Sequence, residues 1–426
     1  MLTTTSPEML TTTTSPPGGY KWPDEGPTRI PSWIYSDQQI FRRELETFHY
    51  GRSWNYIGLE CEIPTAGSFK RSWIGPRCVL ATRDSNGQVH VVENRCAHRD
   101  SQLTWKESGQ FDSQVMICPY HNWTYDLAGN LKTMPFFRGC AGNPGMPADF
   151  DRQKNSLKKL RVATRGGTIW ATYSDEAPEF ADFVGPEILP WFDRLFNGKP
   201  LKLLGIARQI VPCNWKFYTD NTHDGYHAAL LHTFIPKFGL WRPDGDYHQI
   251  PTEHGRHVLY RIGYSKGLKD QRNEVTKELR VLESDFKLAD PSVVTQHKDE
   301  FGDMHNSAFQ IFPSTVVQQF FSSLTVRHIV PKSATSHEVS WNFFGYEDDD
   351  AEMTKARVTH SNLVGPSGFI SAEDTEIIAQ IQPAVNEYDS RHVIEMGGKG
   401  TEASHTMISE SAIRAFYDFY RVEMRL

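Results

Sequence analysis

Cys96-Ala97-His98 and Cys118-Pro119-Tyr120-His121 determine the architecture of the first half of this chain. Each stretch brings one cysteine and one histidine together, and 19 residues separate His98 from Cys118. Thiolates and imidazoles are common protein ligands of iron and zinc. Two thiolates can hold one iron of a [2Fe–2S] cluster while two imidazoles hold the other. The pattern therefore predicts a metal centre held between two loops.

A Cys₂His₂ zinc site is the alternative. Structural zinc sites usually group two cysteines as C-x₂₋₄-C and two histidines as H-x₃₋₅-H. Here one cysteine and one histidine arrive together twice, which favours the ligand set of a Rieske [2Fe–2S] centre. Histidine ligation raises the reduction potential well above the roughly −400 mV of plant-type clusters. We therefore expect a centre that accepts electrons readily and passes them on.

Composition narrows the class of protein. A length of 426 residues exceeds what an electron-carrying domain needs and fits two domains. The net charge of −7 gives no reason to expect a nucleic-acid partner. No apolar run approaches the roughly 20 residues of a membrane span, and no signal-peptide pattern opens the chain. The remaining cysteines lack the spacing of a disulfide framework, so we expect a cytoplasmic protein; they are Cys61, Cys78, Cys140 and Cys213.

Two patterns of secondary structure follow one another along the chain. In the first half, short β-like runs alternate with turns, as in Val79–Thr82, Asn86-Gly87 and Val89–Val92, which predict a hairpin. The last such strand is expected within Gly166–Thr172. Beyond Pro178, helices and strands come in blocks, which predicts an α+β domain. Its main expected elements are helices at Asn214–His232, from Ser371 and at Ser409–Met424, and strands at Leu203–Val211, Val316–Val330 and Val339–Tyr346.

A second cluster of ligand-type residues lies in the predicted helix at 214–232. Three histidines and two aspartates fall within 13 residues there. Two histidines and one carboxylate form the facial triad of non-haem Fe(II) oxygenases. Helical spacing favours His223 with His227, whereas His227 and His232 share a face only if the helix is bent or carries a π-bulge. A polar helix with surface histidines is the alternative that spacing alone leaves open.

The C-x-H…C-x₂-H pair, followed by Asn214-Trp215-Lys216 and then D-x-Y-H-x₄-H, resembles the large subunit of Rieske non-haem iron aromatic-ring-hydroxylating oxygenases. The resemblance covers nearly the whole chain. It implies that His227 and His232 bind a mononuclear iron, and that Asp224 links this iron to a cluster by hydrogen bonds. It also implies four segments: a disordered tail (1–18), the N-terminal part of the catalytic domain (19–54), the Rieske domain (55–175) and the catalytic domain (176–426).

The third iron ligand comes from later in the chain. Gly365-Pro366-Ser367-Gly368-Phe369 and the Glu373-Asp374 pair resemble the family's G-P-x-G-F…E-D segment. The resemblance implies that Asp374 is the ligand, with Glu373 as the second candidate. A competing interpretation makes Ser371-x-x-Asp374 a helix-capping box, in which Asp374 has no metal to bind.

Within the family, the chain resembles large subunits that act on benzoate-type acids, a group with salicylate 5-hydroxylase, anthranilate dioxygenase and terephthalate dioxygenase. Arg327 lies where the terephthalate relatives present a carboxylate-binding arginine, and a structural salt bridge is its alternative role. The stretch 400–411 contains no Lys or Arg, and Met407 falls where a second cation would lie. We therefore expect a substrate with one carboxylate, first salicylate (5-hydroxylated to gentisate), then anthranilate or a substituted benzoate.

The resemblance also implies partners. No G-x-G-x-x-G segment follows a predicted strand, so we expect electrons from NAD(P)H to arrive through a separate reductase or ferredoxin. The relatives imply a small beta subunit in an α₃β₃ assembly, in which the cluster of one subunit lies beside the iron of its neighbour. The alternatives are a Rieske electron carrier with an inert second domain, a zinc-bound structural protein, and an O- or N-demethylase.

Overall fold

The computed structural model describes residues 19–238, 240, 245–252, 254–263, 276–283, 285, 287–294, 300–302 and 304–426. The tail expected at 1–18 lies outside these residues. None of the helices in the described part of the chain has the length and apolar character that a membrane span requires.

The N-terminal segment packs against the end of the chain. It contains β1 (Arg29–Pro31) and α1 (Gln38–Glu44), and the Asp37 carboxylate caps α1 by accepting hydrogen bonds from two backbone N–H groups. Strand β1 pairs antiparallel with a late strand at Arg391–Val393. Side chains such as Tyr35 share one apolar core with aromatic residues of the C-terminal half. This packing supports the proposal that residues 19–54 belong to the catalytic domain.

The first half of the chain forms the expected antiparallel β domain. Its described strands make one seven-stranded sheet, in the order β2-β11-β10-β5-β4-β3-β6, and a smaller sheet, β7-β8-β9. The predicted hairpin joins β4 to β5, with Gly87 at a positive φ of 79° in the turn. The strands are β2 (Asn55–Leu59), β3 (Ser68–Ile74), β4 (Arg77–Arg83), β5 (Val89–Glu93), β6 (Ser108–Gln110), β7 (Val115–Ile117), β8 (Thr124–Asp126), β9 (Leu131–Thr133), β10 (Lys159–Arg165) and β11 (Thr168–Thr172).

A second antiparallel sheet forms the centre of the C-terminal half, in the order β12-β18-β17-β16-β15-β14-β13. One face, with Val317 and Val326, packs on the helices after Pro178, and the opposite face, with Val316 and Ile329, packs on the remaining helices. Burial on both faces explains why β16 and most of β17 lack the usual apolar–polar alternation. The strands are β12 (Leu201–Val211), β13 (Tyr247–Pro251), β14 (Val258–Gly263), β15 (Met304–Ile311), β16 (Thr315–Phe320), β17 (Ser323–Ser333), β18 (Ser336–Tyr346) and β19 (Arg391–Val393).

The helices depart from the sequence prediction at two places that matter for the site. The helix expected at 214–232 ends at Thr222 and resumes only as a short turn at Ala228. The helix expected to open at Ser371 begins at Phe369, with Gly368 as its N-cap. The remaining helices are α2 (Phe180–Val184), α3 (Leu189–Leu195), α4 (Trp215–Thr222), α5 (Ala228–Leu231), α6 (Phe234–Lys237), α7 (Ala351–Val364), α8 (Phe369–Glu387) and α9 (Ser411–Glu423). The α+β architecture with a small all-β domain is confirmed.

Two buried polar networks fasten α4 to both ends of the chain. The ammonium of Lys216 lies 2.6 Å from Glu44 of α1, which also accepts a hydrogen bond of 2.5 Å from Tyr420 of α9. One turn further along α4, the Asp220 carboxylate accepts hydrogen bonds from the hydroxyls of Tyr35 (2.7 Å) and Tyr417 (2.9 Å). These contacts fix the helix that leads into the histidine cluster.

Candidate metal centres

Both cysteine–histidine pairs lie on loops with the same backbone design. The N–H of Cys96 donates to the carbonyl of Ser101 and the N–H of Cys118 to that of Trp123, each five residues ahead. The residue one position earlier, Asp100 or Asn122, donates back to the cysteine carbonyl. Asp100 and Asn122 have positive φ angles of 59° and 54°, which these two residue types tolerate better than most. The two loops therefore form matching half-sites.

The four side chains form two pairs rather than one cluster. The rings of His98 and His121 lie 4.6 Å apart, and the free thiols of Cys96 and Cys118 are buried and interact with each other. A single zinc would draw all four ligand atoms to within about 4 Å of one another. The described residues hold only one group of three or more ligand atoms this close, and it lies elsewhere. The paired arrangement fits two irons better than one zinc.

The surroundings of the two pairs suit a redox centre. Tyr125 places its hydroxyl 3.2 Å from the Cys96 sulfur. The ring of His98 stacks on Trp123 at 4.7 Å. Partial loss of hydration where the ring meets its neighbours, together with the nearby His121, lowers the pKa of His98 and so favours the neutral imidazole that a metal requires. Because His98 is exposed while the thiols are buried, the histidine side of this site faces outward.

The second centre depends on the break after α4. Residues 223–227 leave the helix, so His227 precedes the short helix α5 and His232 follows it. From the sequence we expected a bent helix or a π-bulge here, and the structure has a break between two helices instead. It brings the two imidazole rings to 5.3 Å from each other. A side chain at Gly225 would not fit, since its Cβ would lie 2.5 Å from the Tyr247 hydroxyl.

Helix α8 supplies the carboxylate. Asp374 lies in the second turn of α8 and not at its N-cap, so the capping interpretation is wrong. Its Oδ1 lies 3.3 Å from Nε2 of His227 and 3.1 Å from Nε2 of His232. The three ligand atoms all lie within 4.8 Å of one another. The structure thus brings together the three residues that the sequence predicted as iron ligands.

The other nitrogen of each histidine faces a second carboxylate. Nδ1 of His227 lies 3.1 Å from Asp224, and Nδ1 of His232 lies 2.8 Å from Glu373. Glu373 therefore lies behind His232 and outside the ligand group, contrary to its role as the second candidate ligand. Carboxylates placed in this way fix the ring and the tautomer of metal-binding histidines.

These contacts leave a place for a cation. A neutral imidazole has one N–H, so His232, whose Nδ1 is hydrogen-bonded to Glu373, turns the lone pair of Nε2 toward Asp374. Facing lone pairs repel unless a cation lies between them. Burial lowers the pKa of His227, but Asp224 and Asp374 outweigh it and raise this pKa to about 10, so the site attracts positive charge. Two imidazoles and one carboxylate suit iron(II) and leave coordination positions open.

The sequence did not indicate Asn221. Its side-chain amide donates to Oδ1 of Asp374 at 3.1 Å and lies 3.4 Å from Nε2 of His227. No motif marks such a residue, because the contact depends on the approach of α4 to α8. His223, which helical spacing favoured, lies apart from the ligand group. Burial lowers the pKa of His223 to about 3, as expected for a neutral core histidine.

A cavity of about 120 Å³ opens beside the triad. A cavity of about 150 Å³ is known to hold one benzene molecule, so the volume suits a single aromatic ring. Met407 lines the cavity near the place where a second cation was considered. Of the lysines and arginines that the structure describes, only Arg327 lines this cavity.

Arg327 is a buried cation that has no carboxylate partner in the part of the chain that the structure describes. Its guanidinium donates to the amide oxygen of Gln318 and to the hydroxyl of Tyr218 (3.4 Å), and lies 4.3 Å from the centre of the Trp341 ring. Its Nε atom is buried without a hydrogen-bond partner. No carboxylate among the described residues lies within 4 Å of it, so none of them forms the structural salt bridge considered as its alternative role. Burying a guanidinium without a counter-ion costs folding free energy, and an anionic ligand bound to the guanidinium would offset that cost.

Comparisons with known proteins agree along the whole chain. The family model of the ring hydroxylating alpha subunit (catalytic domain) matches residues 190–425, and that of the Rieske [2Fe-2S] domain matches residues 53–144. The large oxygenase component of salicylate 5-hydroxylase from Ralstonia sp is 40% identical over 95% of this chain and 96% of its own length. The anthranilate 1,2-dioxygenase large subunit of Burkholderia cepacia is 38% identical over 94% of both chains.

A third relative and a solved structure extend the comparison. Subunit alpha 2 of the terephthalate 1,2-dioxygenase terminal oxygenase component from Comamonas sp is 35% identical over 95% of this chain and 97% of its own. The fold matches naphthalene 1,2-dioxygenase from Rhodococcus sp with a TM-score of 0.76 at 23% identity, covering 93% of this chain and 94% of that one. The chain therefore belongs to the alpha subunits of the Rieske non-haem iron ring-hydroxylating oxygenases.

Proposed function

We propose that this alpha subunit hydroxylates the ring of an aromatic acid with one carboxylate, first of all salicylate, at C5 to give gentisate. The observation that carries the proposal is Arg327, a buried cation that has no carboxylate partner among the described residues and lines the same cavity as the triad. The likeness to salicylate 5-hydroxylase supports the choice of acid. Anthranilate is the next candidate, supported by the likeness to the anthranilate dioxygenase subunit.

The proposed metal sites follow the sequence prediction. Cys96, His98, Cys118 and His121 would hold the [2Fe–2S] cluster, and His227, His232 and Asp374 the mononuclear iron. When bound, these groups supply the electron store and the dioxygen activation that the protein alone cannot provide. The chain orients the His232 imidazole through Glu373, places the Asp224 carboxylate 3.1 Å from Nδ1 of His227, and holds the Asp374 carboxylate through Asn221.

We propose that Arg327 binds the substrate carboxylate and thereby places the ring beside the triad. A guanidinium can hold a carboxylate with two parallel hydrogen bonds, which fixes the angle of the ring as well as its position. Trp341 supports the guanidinium from one side. With Met407 in place of a second cation, the cavity suits one carboxylate and disfavours the two of terephthalate.

Electron delivery is proposed to cross a subunit boundary. No hydrogen bond or ion pair between described residues joins His98 or His121 to Asp224 within one chain. Asp224 keeps about a fifth of its side chain exposed, beside the exposed residues Tyr226 and Leu230. A neighbouring subunit could therefore present His121 to Asp224. We propose a ring of three alpha subunits with small beta subunits, fed by a reductase or ferredoxin.

A single turnover tests the proposal without the reductase. The iron-loaded protein is reduced chemically and given salicylate and oxygen, and the products are identified by mass spectrometry. Gentisate is the expected product. If fully loaded protein gives no hydroxylated salicylate but hydroxylates anthranilate, the substrate assignment changes to anthranilate. Turnover of neither acid, nor of benzoate, would contradict the proposed substrate class.

A further inference from the structure

Two amide oxygens that line the cavity have no hydrogen-bond partner among the described residues, Oε1 of Gln310 and Oδ1 of Asn306. The Gln310 amide is held at its other end, because its nitrogen donates to the Thr219 hydroxyl at 3.3 Å, so Asn306 is the candidate whose amide can turn to meet a ligand. Asn306 lines the cavity from β15 and is 94% buried, and its Oδ1 makes no hydrogen bond. Its neighbours on the adjacent strands are Ile262 and Phe320, both apolar. A buried amide oxygen without a partner is destabilising, so a folded protein rarely keeps one without a reason.

The position of Asn306 relative to Arg327 follows from the strand register. Gln318 of β16 pairs with Ala308 of β15 and with Thr325 of β17, so Asn306 and Arg327 are its diagonal neighbours on opposite sides. Diagonal neighbours on one face lie about 7–8 Å apart at Cα. Asn306 and Arg327 therefore lie on the same face of the sheet, two diagonal steps apart at Cα, and the Arg327 guanidinium contacts the amide oxygen of Gln318, whose strand lies between theirs.

We infer that Asn306 recognises a hydroxyl or amino group ortho to the carboxylate of the substrate. The inference rests on the proposed function, since it takes Arg327 as the carboxylate anchor. A group ortho to a carboxylate held by Arg327 lies on the ring atom next to the anchor, inside the cavity that Asn306 and Arg327 both line. Benzoate, which has no such group, leaves the amide unsatisfied.

An asparagine suits either ortho group. An ortho amine can keep one N–H on its own carboxylate and donate the other to the amide oxygen. An ortho hydroxyl that keeps its proton on the carboxylate offers a lone pair, which the amide NH₂ can satisfy after a half-turn of the terminal group. No protein contact opposes this rotation, because Asn306 has no side-chain partner among the described residues.

Ligand binding to the oxidised, fully loaded protein tests the inference without turnover. The dissociation constants of benzoate, salicylate and anthranilate are measured by calorimetry for the wild type, Asn306→Leu and the surface control Asn362→Leu. We expect the wild type and the control to bind the two ortho-substituted acids about tenfold more tightly than benzoate, and Asn306→Leu to bind all three about equally. The affinity of Asn306→Leu for benzoate should stay close to that of the wild type, which also shows that the cavity is intact.

The outcomes separate this inference from the proposed function. If wild-type protein binds none of the three acids, the proposed substrate class fails. If the wild type binds benzoate as tightly as salicylate and anthranilate, or if Asn306→Leu keeps the wild-type preference, the inference fails and the carboxylate anchor stands. If Asn306→Leu no longer binds benzoate, Asn306→Ala is measured in its place. The ratio of the dissociation constants of benzoate and the ortho-substituted acids in the wild type then still tests the inference.

Discussion

At the residue scale, Arg327 is the side chain whose loss should separate substrate binding from metal binding. Arg327→Met removes a guanidinium whose charged hydrogen bonds are each worth roughly 1.5–3 kcal/mol. We expect KM for the aromatic acid to rise about 10- to 100-fold, with the iron and cluster content unchanged. Steady-state kinetics and metal analysis measure the two effects. Arg208→Met, at a half-exposed arginine of β12, is the matched control. An unchanged KM would remove Arg327 from the substrate site.

Glu373 and Asp374 adjoin in sequence but have different proposed roles. Glu373→Ala removes the carboxylate behind His232, and losses of this kind typically weaken metal binding or activity 10- to 100-fold. We expect iron to be lost more easily to a chelator while the visible absorption of the cluster persists. Glu376→Ala, an exposed site on the same helix, is the control. If Asp374→Ala retained iron and Glu373→Ala had none, the two roles would have to be exchanged.

We expect Tyr125 to raise the reduction potential of the cluster. Hydrogen bonds to cysteine sulfurs stabilise the reduced cluster and thus raise its potential. Tyr125→Phe removes the hydroxyl 3.2 Å from the Cys96 sulfur, so the midpoint potential should fall. A spectroscopic redox titration measures this potential. Tyr120→Phe, at an exposed tyrosine next to His121, should leave it unchanged. Equal potentials in all three proteins would contradict the assignment of Cys96 as a cluster ligand.

Sequence spacing was most informative for residues close together in the chain. The two Cys–His pairs could be proposed from spacing alone, because each pair fits within one turn of backbone. Asp374 needed the family resemblance, since its local sequence also fits a capping box. Asn221 and Asn306 could not be found from the sequence. Their significance depends on which strands and helices face each other, and no local pattern records that.

At the scale of elements, α4 carries a carboxyl whose titration should affect stability. Burial raises the pKa of Asp220 to about 7, although hydrogen bonds from Tyr35 and Tyr417 oppose the rise. An unfolded Asp titrates near 3.9. Between these values the folded protein holds a proton that the unfolded chain has lost, so this group makes stability fall as pH rises from about 4 to about 7.

Asp220→Asn should remove the part of the pH-dependent loss of stability that Asp220 causes, because an amide does not titrate. We expect the midpoint of thermal unfolding to drop less between pH 5 and pH 8 in Asp220→Asn than in the wild type. Asp182→Asn, at an exposed site on α2, should behave like the wild type. A wild-type pH profile retained in Asp220→Asn would mean that Asp220 is ionised in the folded protein throughout this range.

The same region shows why the helix prediction failed. The sequence prediction treated 214–232 as a single helix and did not weigh the Asp224-Gly225 pair, which is a turn signal. The structure breaks the chain there and packs Gly225 against Tyr247 of β13. The strands were better predicted, because β-branched residues and Gly-containing turns mark them locally. Their order in the sheets depends on pairing between distant segments and could not be derived.

At the scale of the whole molecule, the two proposed metal sites differ in how much of the chain must fold before each site can form. The strands around the cluster loops run from Asn55 to Thr172 without a contribution from either end of the chain. The triad needs α4 and α8, and α4 in turn is held by Glu44 of α1 and by Tyr417 of α9, while Tyr420 of α9 donates a hydrogen bond to Glu44. The cluster site is thus local in sequence, and the iron site is not.

This difference bears on the order in which the protein matures during synthesis. The cluster-binding segment can leave the ribosome complete while half of the chain is still untranslated. The iron site cannot close until α9, which follows all three triad residues in the chain, has folded back onto α1. We therefore expect cluster assembly to precede iron insertion, and a ribosome stalled before α9 to carry a nascent chain that takes up the cluster but not the mononuclear iron.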